Sequence, residues 1–136
     1  MATLENVLNH AGVSAGGVLD TQIEVPILTG PQRQGDVAWK SAPKAKPATT
    51  PIPTTGVQVV KSEASPNTHA LHNWDGVCFF DFRSGVGSTL GVLTVPDGAS
   101  AYLVHTEEHG ANGVGPGTYE FTGQFDYAGE WRRVAD

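Results

Sequence analysis

The sequence contains very little cysteine and little charge. Cys78 is the one cysteine among 136 residues, so the chain can form no internal disulfide and no zinc site built from cysteine pairs. Only 16% of the residues are charged, against about 25% in a typical globular protein. The net charge is −6 and no basic cluster occurs, which argues against nucleic acid as a direct partner.

Long apolar runs are also missing. No stretch approaches the roughly 20 consecutive apolar residues of a membrane-spanning helix, so no membrane association is expected. The first residues lack the charged start and apolar centre of a signal peptide, which predicts assembly in the cytoplasm. The length is sufficient for one domain that buries about two-thirds of its unfolded surface.

Glycine and proline are abundant instead, with 17 and 9 residues. Short β-branched or aromatic segments are separated by turn sequences such as Pro96-Asp-Gly98, at intervals of about 8–12 residues. This pattern predicts an all-β protein, a single small barrel or sandwich of about seven to eight short strands. The expected core residues are Val57, Val59, Phe79, Leu93, Val95, Leu103, Tyr119 and Phe121.

Residues 1–30 depart from the strand pattern. Apolar residues at helical spacing predict a short helix at Leu4–His10, too short to be stable alone. Partial alternation follows, and Pro26 restricts this part to an edge strand at most. We therefore expect residues 1–30 to form an extended N-terminal arm, separate from a β-domain at 31–136.

Residues 40–55 form a second irregular segment, within the predicted β-domain. They contain four prolines among alanine, lysine and threonine, a composition typical of extended backbone without regular hydrogen bonding. The segment is predicted to be either a plain surface loop or a strap that lies across a neighbouring subunit.

The densest group of chemically active side chains is His105-Thr-Glu-Glu-His109. If the strand continues, both histidines and Glu107 lie on one side of it. Two imidazoles and a carboxylate can bind zinc, or iron in a facial arrangement, and His69 or His72 can add a third nitrogen from a neighbouring strand. The predicted metal site, of the kind a cupin-like barrel uses, comprises His69, His105, His109 and Glu107. The alternative is that these are solvated or hydrogen-bonded residues of a long turn.

No other group of residues forms a convincing catalytic set. Cys78 lies in the apolar segment Val77-Cys-Phe-Phe80, which is typical of an inert core thiol. Glu107 and Glu108 are neighbours, and adjacent strand residues point to opposite faces. No serine lies in a nucleophile-elbow sequence and no phosphate-binding loop is present. The chain is therefore predicted not to be an enzyme, and no cofactor is expected.

A set of sequence segments resembles a family of small, largely uncharacterised proteins of bacteriophage and bacterial genomes. The segments, in order, are Arg33-Gln-Gly-Asp-Val37, Glu63…Thr68-His69, His105-Thr-Glu-Glu-His109, Pro116-Gly-Thr-Tyr119, Gln124…Tyr127 and Arg132-Arg-Val-Ala-Asp136. Members of that family typically carry a His-x-His pair in the second segment. Asn67 stands at the first of these positions, so only His69 matches, which weighs against a metal site built from that pair. The resemblance implies no particular activity.

In composition and layout the chain is also similar to the head decoration, or cement, proteins of tailed phages. Those proteins are acidic, rich in Gly, Ala, Thr and Pro, and carry an N-terminal arm. The likeness implies a virion component that stabilises a head lattice, with its arm adding a strand to the lattice. Its partners would be the major capsid protein and copies of itself, as a trimer or other cyclic oligomer. The alternatives are a small metal-binding module or metalloenzyme, and an adaptor that binds a host protein.

Overall fold

A computed structural model describes residues 2–13, 22–60, 68–83, 89–105, 110–123, 125–127 and 131–133. Within these residues the protein is mostly β, with one short helix. The elements are α1 (Leu4–His10), β1 (Ile27–Leu28), β2 (Gln32–Gln34), β3 (Val37–Ser41), β4 (Val57–Gln58), β5 (His69–Asp75), β6 (Phe79–Phe82), β7 (Thr89–Val95), β8 (Ser100–His105), β9 (Gly110–Val114), β10 (Gly117–Gly123), β11 (Phe125–Tyr127) and β12 (Trp131–Arg133). No helix among them is long and apolar enough to cross a membrane.

The strands form two five-stranded sheets that are not closed into a barrel. The first sheet has the order β1-β9-β8-β5-β4 and the second β2-β3-β10-β7-β6, while β11 and β12 form a separate pair. The prediction of an all-β fold is confirmed, and of its two forms the sandwich describes the structure. The described residues contain twelve strands, more than the seven or eight predicted, and β1, β2, β4, β11 and β12 have only two or three residues each.

The main core lies between the two sheets and contains residues from both. Trp39 of β3 stacks on Phe121 of β10, with ring centroids 4.9 Å apart and an interplanar angle of 7°. Six of the predicted core residues are buried in this core, namely Val59, Leu93, Val95, Leu103, Tyr119 and Phe121. Val57 is partly buried against it. Phe79 is a wrong prediction: Phe80, opposite Leu93 in the β6–β7 pair, takes the core position.

The N-terminal residues form a second, smaller core on the outer face of the first sheet. Helix α1 starts with a capping box, in which Thr3 and Asn6 bond each other's backbone N–H. Its buried residues Val7 and Leu8 pack with Tyr102 and Val104 of β8. The predicted helix is confirmed. The arm differs from the prediction, because its described parts fold back on the domain instead of extending from it.

A physical reason for this folding back is visible in β8. All six of its residues, Ser100–His105, are buried, so both faces of the strand are covered, and an apolar outer face needs a cover of its own. Strand β1 completes the attachment by pairing in parallel with β9, where Ile27 lies opposite Gly113.

The proline-rich loop lies against its own domain in the structure. Phe80 donates its backbone N–H to Thr50 O at 2.9 Å, and Ile52 donates to Cys78 O at 2.9 Å. The carboxylate of Asp81 accepts the N–H groups of Thr49 and Thr50, and these bonds contribute to a lowered Asp81 pKa, with the Thr50 side chain as the largest cause. The loop therefore covers part of the edge strand β6, which limits strand pairing with other molecules.

Candidate functional site

Two of the four predicted metal ligands meet in the structure. His69 on β5 lies directly opposite His105 on β8 in the antiparallel pair. Their ring centroids are 4.4 Å apart with an interplanar angle of 72°, and both residues are buried. The structure thus places two of the four predicted ligands side by side. His109 and Glu107 fall outside the described residues.

The alternation of strand residues directs both imidazoles into the sandwich. His69 shares a strand face with Leu71, and His105 shares one with Leu103, because residues two apart point the same way. Both leucines belong to the main core between the sheets. The histidine pair therefore occupies the end of the inner face of the first sheet.

The β2–β3 hairpin supplies two residues to this site that the metal prediction missed, Gln34 and Asp36. Gln34 pairs with Val37, so Gly35 and Asp36 form a two-residue loop. Gly35 has a φ of 57°, and such loops favour glycine at this position. The hairpin belongs to the second sheet, and its tight loop brings Gln34 and Asp36 to the histidines of the first sheet.

Gln34 is the centre of the hydrogen-bond network in this region. Its Nε2 donates to Leu103 O at 2.9 Å and to Asn112 Oδ1 at 3.0 Å. The amide nitrogen is thereby committed to two acceptors, so Oε1 is the atom that lies 2.9 Å from His69 Nδ1. It follows that His69 Nδ1 is the donor in this contact.

The second ring nitrogen of His69 faces a carboxylate. His69 Nε2 lies 3.5 Å from Asp36 Oδ1, and the side chains of both residues are almost fully buried. Both ring nitrogens of His69 therefore face oxygen atoms of the protein, one from an amide and one from a carboxylate. Removing one member of this buried group is costly, because the polar atoms that remain lose a partner.

The network continues from Asn112 back to the second sheet. Asn112 Nδ2 donates to Gln32 Oε1 at 3.2 Å, and Gln32 Nε2 donates to Gly113 O at 2.8 Å. We call the connected side chains of Gln32, Gln34, Asp36, His69 and Asn112 the inter-sheet network. Its bonds join β2 and the β2–β3 loop to β5, β8 and β9. In this geometry the network links the two sheets and holds them in register.

The described residues contain no group of three His, Cys, Asp or Glu side chains placed to hold a metal ion. His69 could ligate a metal only by giving up its contact with Gln34 or with Asp36. The four-residue metal site nevertheless stays a prediction, because His109 and Glu107 fall outside the described residues.

Cys78 lies in the core, as its apolar sequence segment predicted. It is buried, and burial raises the pKa of its thiol to about 11. Only the thiolate is an effective nucleophile, so the raised pKa disfavours the reactive form, and the predicted core position of Cys78 is confirmed.

A signal for Gln34 and Asp36 was present in the sequence. Both belong to Arg33-Gln-Gly-Asp-Val37, one of the segments that carry the family resemblance, and Gly-Asp between two strand sequences is a hairpin signal. His69 and His105 belong to two further segments of that set. Three of the resemblance segments therefore meet at one buried place.

These features define an all-β sandwich with buried imidazole, carboxylate and amide groups at one end. The chain belongs to a family described as a domain of unknown function, DUF8820, whose model matches residues 33–124. The match begins at the hairpin that supplies Gln34 and Asp36, and it omits α1 and β1. The expected membership of an uncharacterised family is thus confirmed. No curated protein and no solved structure matches the chain significantly.

Proposed function

We propose that the protein is a structural component and not an enzyme: a decoration subunit that binds and stabilises a phage head lattice. The observation that carries the structural part is the inter-sheet network. His69 is completely buried, and both of its ring nitrogens contact protein oxygens. A catalytic imidazole must reach its substrate, whereas this one is enclosed and stabilises the fold.

The decoration role is supported by the composition and by two exposed apolar side chains on the N-terminal segment. Ile23 is 54% exposed and Leu28 is 44% exposed, and Leu28 lies in β1 at the edge of the first sheet. Large exposed apolar side chains beside an edge strand favour docking to another protein. In this proposal the folded N-terminal segment contacts the major capsid protein through Ile23 and Leu28, without having to extend.

The first experiment measures the amount of the protein in purified particles of the phage or prophage whose genome encodes it. We expect a copy number comparable to that of the major capsid protein, measured by quantitative mass spectrometry. Absence from the particles, with the protein present in the lysate, would contradict the decoration role.

A matched pair of variants tests the contact surface. Ile23→Ser should lower particle occupancy, while Val77→Ser, at a residue of similar exposure (51%) in the β5–β6 turn, should leave occupancy unchanged. Both variants should remain folded, because neither side chain belongs to a core. Equal occupancy for the two variants would exclude Ile23 from the contact.

A second candidate function, metal binding, is favoured by one observation: the buried histidine pair, with its ring centroids 4.4 Å apart. In this proposal His69 and His105 bind zinc or iron together with His109 and Glu107. Elemental analysis of the purified protein should then give about one metal ion per chain, reduced in His105→Gln and His109→Gln. His10→Gln, at an exposed residue, serves as the control. Far less than one ion per chain, unchanged in all variants, would exclude this function.

A further inference from the structure

A groove of about 890 Å³ lies between helix α1 and the outer face of the first sheet. Strands β5 and β8 contribute Trp74, Asp75 and Tyr102 to its lining, and the helix contributes Asn6, Asn9 and His10. Its volume is within the range of about 300–1,000 Å³ that is usual for ligand sites. The groove is separate from the inter-sheet network, which lies on the inner face of the same sheet.

The helical wall of the groove is fixed in place. Val7 and Leu8 anchor α1 in the second core, and His10 Nε2 lies 2.6 Å from Asn73 O of β5. The groove is therefore already formed without a ligand, which lowers the entropy cost of binding.

Trp74 provides the main aromatic surface of the groove. It is half-buried, whereas Tyr102 is only 1% exposed. The rings of His10 and Tyr102 meet the indole at interplanar angles of 74° and 86°. Neither of these two rings is stacked parallel to the indole, and their edge-type contacts fix its orientation. Trp74 is therefore an aromatic side chain of fixed orientation that is partly exposed to solvent.

Polar groups accompany the indole. Asn6 and Asn9 are three residues apart on α1 and therefore lie on the same side of the helix. Asp75 is exposed at the end of β5. Among the described residues, the side chains of Asn9 and Asp75 have no hydrogen-bond partner. The buried hydroxyl of Ser100, which also lines the groove, has none either.

This combination selects one chemical class of ligand. Among the residues that the structure describes, no lysine or arginine lines the groove, and Asp75 would repel a phosphate or carboxylate. A purely apolar ligand would bury amide and carboxylate groups without partners, which is costly. A saccharide fits both the indole and the polar groups of the groove. Its C–H face packs on an indole, and its hydroxyls donate to carboxylates and both donate to and accept from amides.

We propose that this groove binds a neutral saccharide, with one sugar ring packed on Trp74 and its hydroxyls bonded to Asn9 and Asp75. The volume suits a short oligosaccharide better than a single ring. The proposal does not depend on the decoration role, and particle binding and saccharide binding are measured separately.

The test is an NMR titration of the full-length, isotope-labelled protein with trisaccharides of glucose, of N-acetylglucosamine and of galactose, each to millimolar concentration. We expect at least one of them to shift the indole N–H signal of Trp74 and the side-chain amide signal of Asn9. The Trp74 signal is assigned as the indole peak that Trp74→Phe removes. If none of the three sugars shifts these signals, the proposal is overturned.

Two further outcomes are decisive. Asp75→Asn and Trp74→Ala should weaken binding about tenfold each, while Asp97→Asn, at an exposed turn residue outside the groove, should not. Asp75→Asn keeps the test valid if Trp74→Ala fails to fold. Choline, a quaternary ammonium probe, is titrated in parallel, because an aromatic ring beside a carboxylate also suits a cation. Shifts with choline and with none of the sugars would overturn the proposal.

Discussion

Gly56 illustrates how a side chain on one strand restricts a backbone position on the next. Its φ is +86°, and a Cβ added there would lie 2.5 Å from His72 Cε1. His72 is buried, so its ring cannot move aside freely. Gly98 has a similar φ of +80°, with no atom within 4 Å of the added Cβ. The two glycines therefore share one backbone requirement and differ in available space.

We predict that Gly56→Ala lowers the free energy of unfolding by about 2–4 kcal/mol, from left-handed backbone strain plus overpacking. Gly98→Ala should lower it by only about 1–2 kcal/mol, from the backbone strain alone. Urea denaturation of both variants measures the difference. Equal losses would mean that the His72 ring adapts at little cost.

His72 also gives a prediction for pH. Burial, and secondly the positive charge of nearby His10, lower the pKa of His72 below its ordinary value of 6.5. Below pH 6.5 the unfolded chain therefore takes up a proton that the folded protein resists. Stability falls as the pH drops through this range.

The free energy of unfolding should accordingly decrease between pH 7.5 and pH 5.5, and His72→Gln should make this decrease smaller. Chemical denaturation at the two pH values measures it. If the free energy of unfolding decreases as much in His72→Gln as in the wild type, the pH dependence comes from other groups.

At the scale of elements, the contact between β1 and β9 depends on a glycine. A Cβ at Gly113 would lie 2.4 Å from Pro26 O and 3.1 Å from Ile27 Cα, and backbone atoms cannot give way without moving the strand. Gly110 lies on the same strand with nothing within 4 Å of an added Cβ. It is the matched control position.

We predict that Gly113→Ala displaces β1 and loosens the N-terminal segment, while Gly110→Ala does not. Hydrogen exchange at the amide of Gly115, which donates to Leu28 O at 2.8 Å, is the measurement. Its exchange should accelerate in Gly113→Ala only. Unchanged exchange in that variant would show that β1 can shift and keep its bonds.

The sequence predicted most of the longer strands and the helix because their periodicity extends over several residues. Strand β9 was instead predicted as part of a long turn, because Gly110 and Gly113 within it are typical of turn sequences. Strands of two or three residues are too short for alternation to be visible. The Phe79-Phe80 pair shows a further limit: two adjacent residues of the same type leave open which one faces the core, and a shift by one residue exchanges the faces.

The histidine pair of the candidate site was predictable from the strand pattern. His69 and His105 lie on neighbouring strands that the pattern identified. The contribution of Gln34 and Asp36 depends on how the second sheet packs on the first, and no local pattern encodes that packing. The fold-back of the N-terminal segment is equally a property of tertiary contacts, since a helix as short as α1 requires them.

For the whole molecule, the inter-sheet network predicts an unequal effect of two similar substitutions. Gln34→Leu removes three buried or part-buried bonds, namely those that Gln34 makes with His69 Nδ1, Leu103 O and Asn112 Oδ1. It should lower the free energy of unfolding by about 3–5 kcal/mol. Gln32→Leu removes two part-buried bonds and should cost about 1–2 kcal/mol.

Guanidinium unfolding followed by tryptophan fluorescence compares the two glutamine variants. If the free energy of unfolding is lowest for Gln34→Leu, intermediate for Gln32→Leu and highest for the wild type, the network stabilises the sandwich. A Gln34→Leu protein as stable as the wild type would mean that the two sheets are held in place by apolar packing alone.

The parallel pairing of β1 with β9 sets an order of events during synthesis of the chain. Strand β1 can pair only after Gly113 and Val114 have left the ribosome. At about 5–20 residues per second, the N-terminal segment waits several seconds for this partner. During that time Val7 and Leu8 lack the cover that Tyr102 and Val104 provide, and they are accessible to chaperones until β8 and β9 have been made.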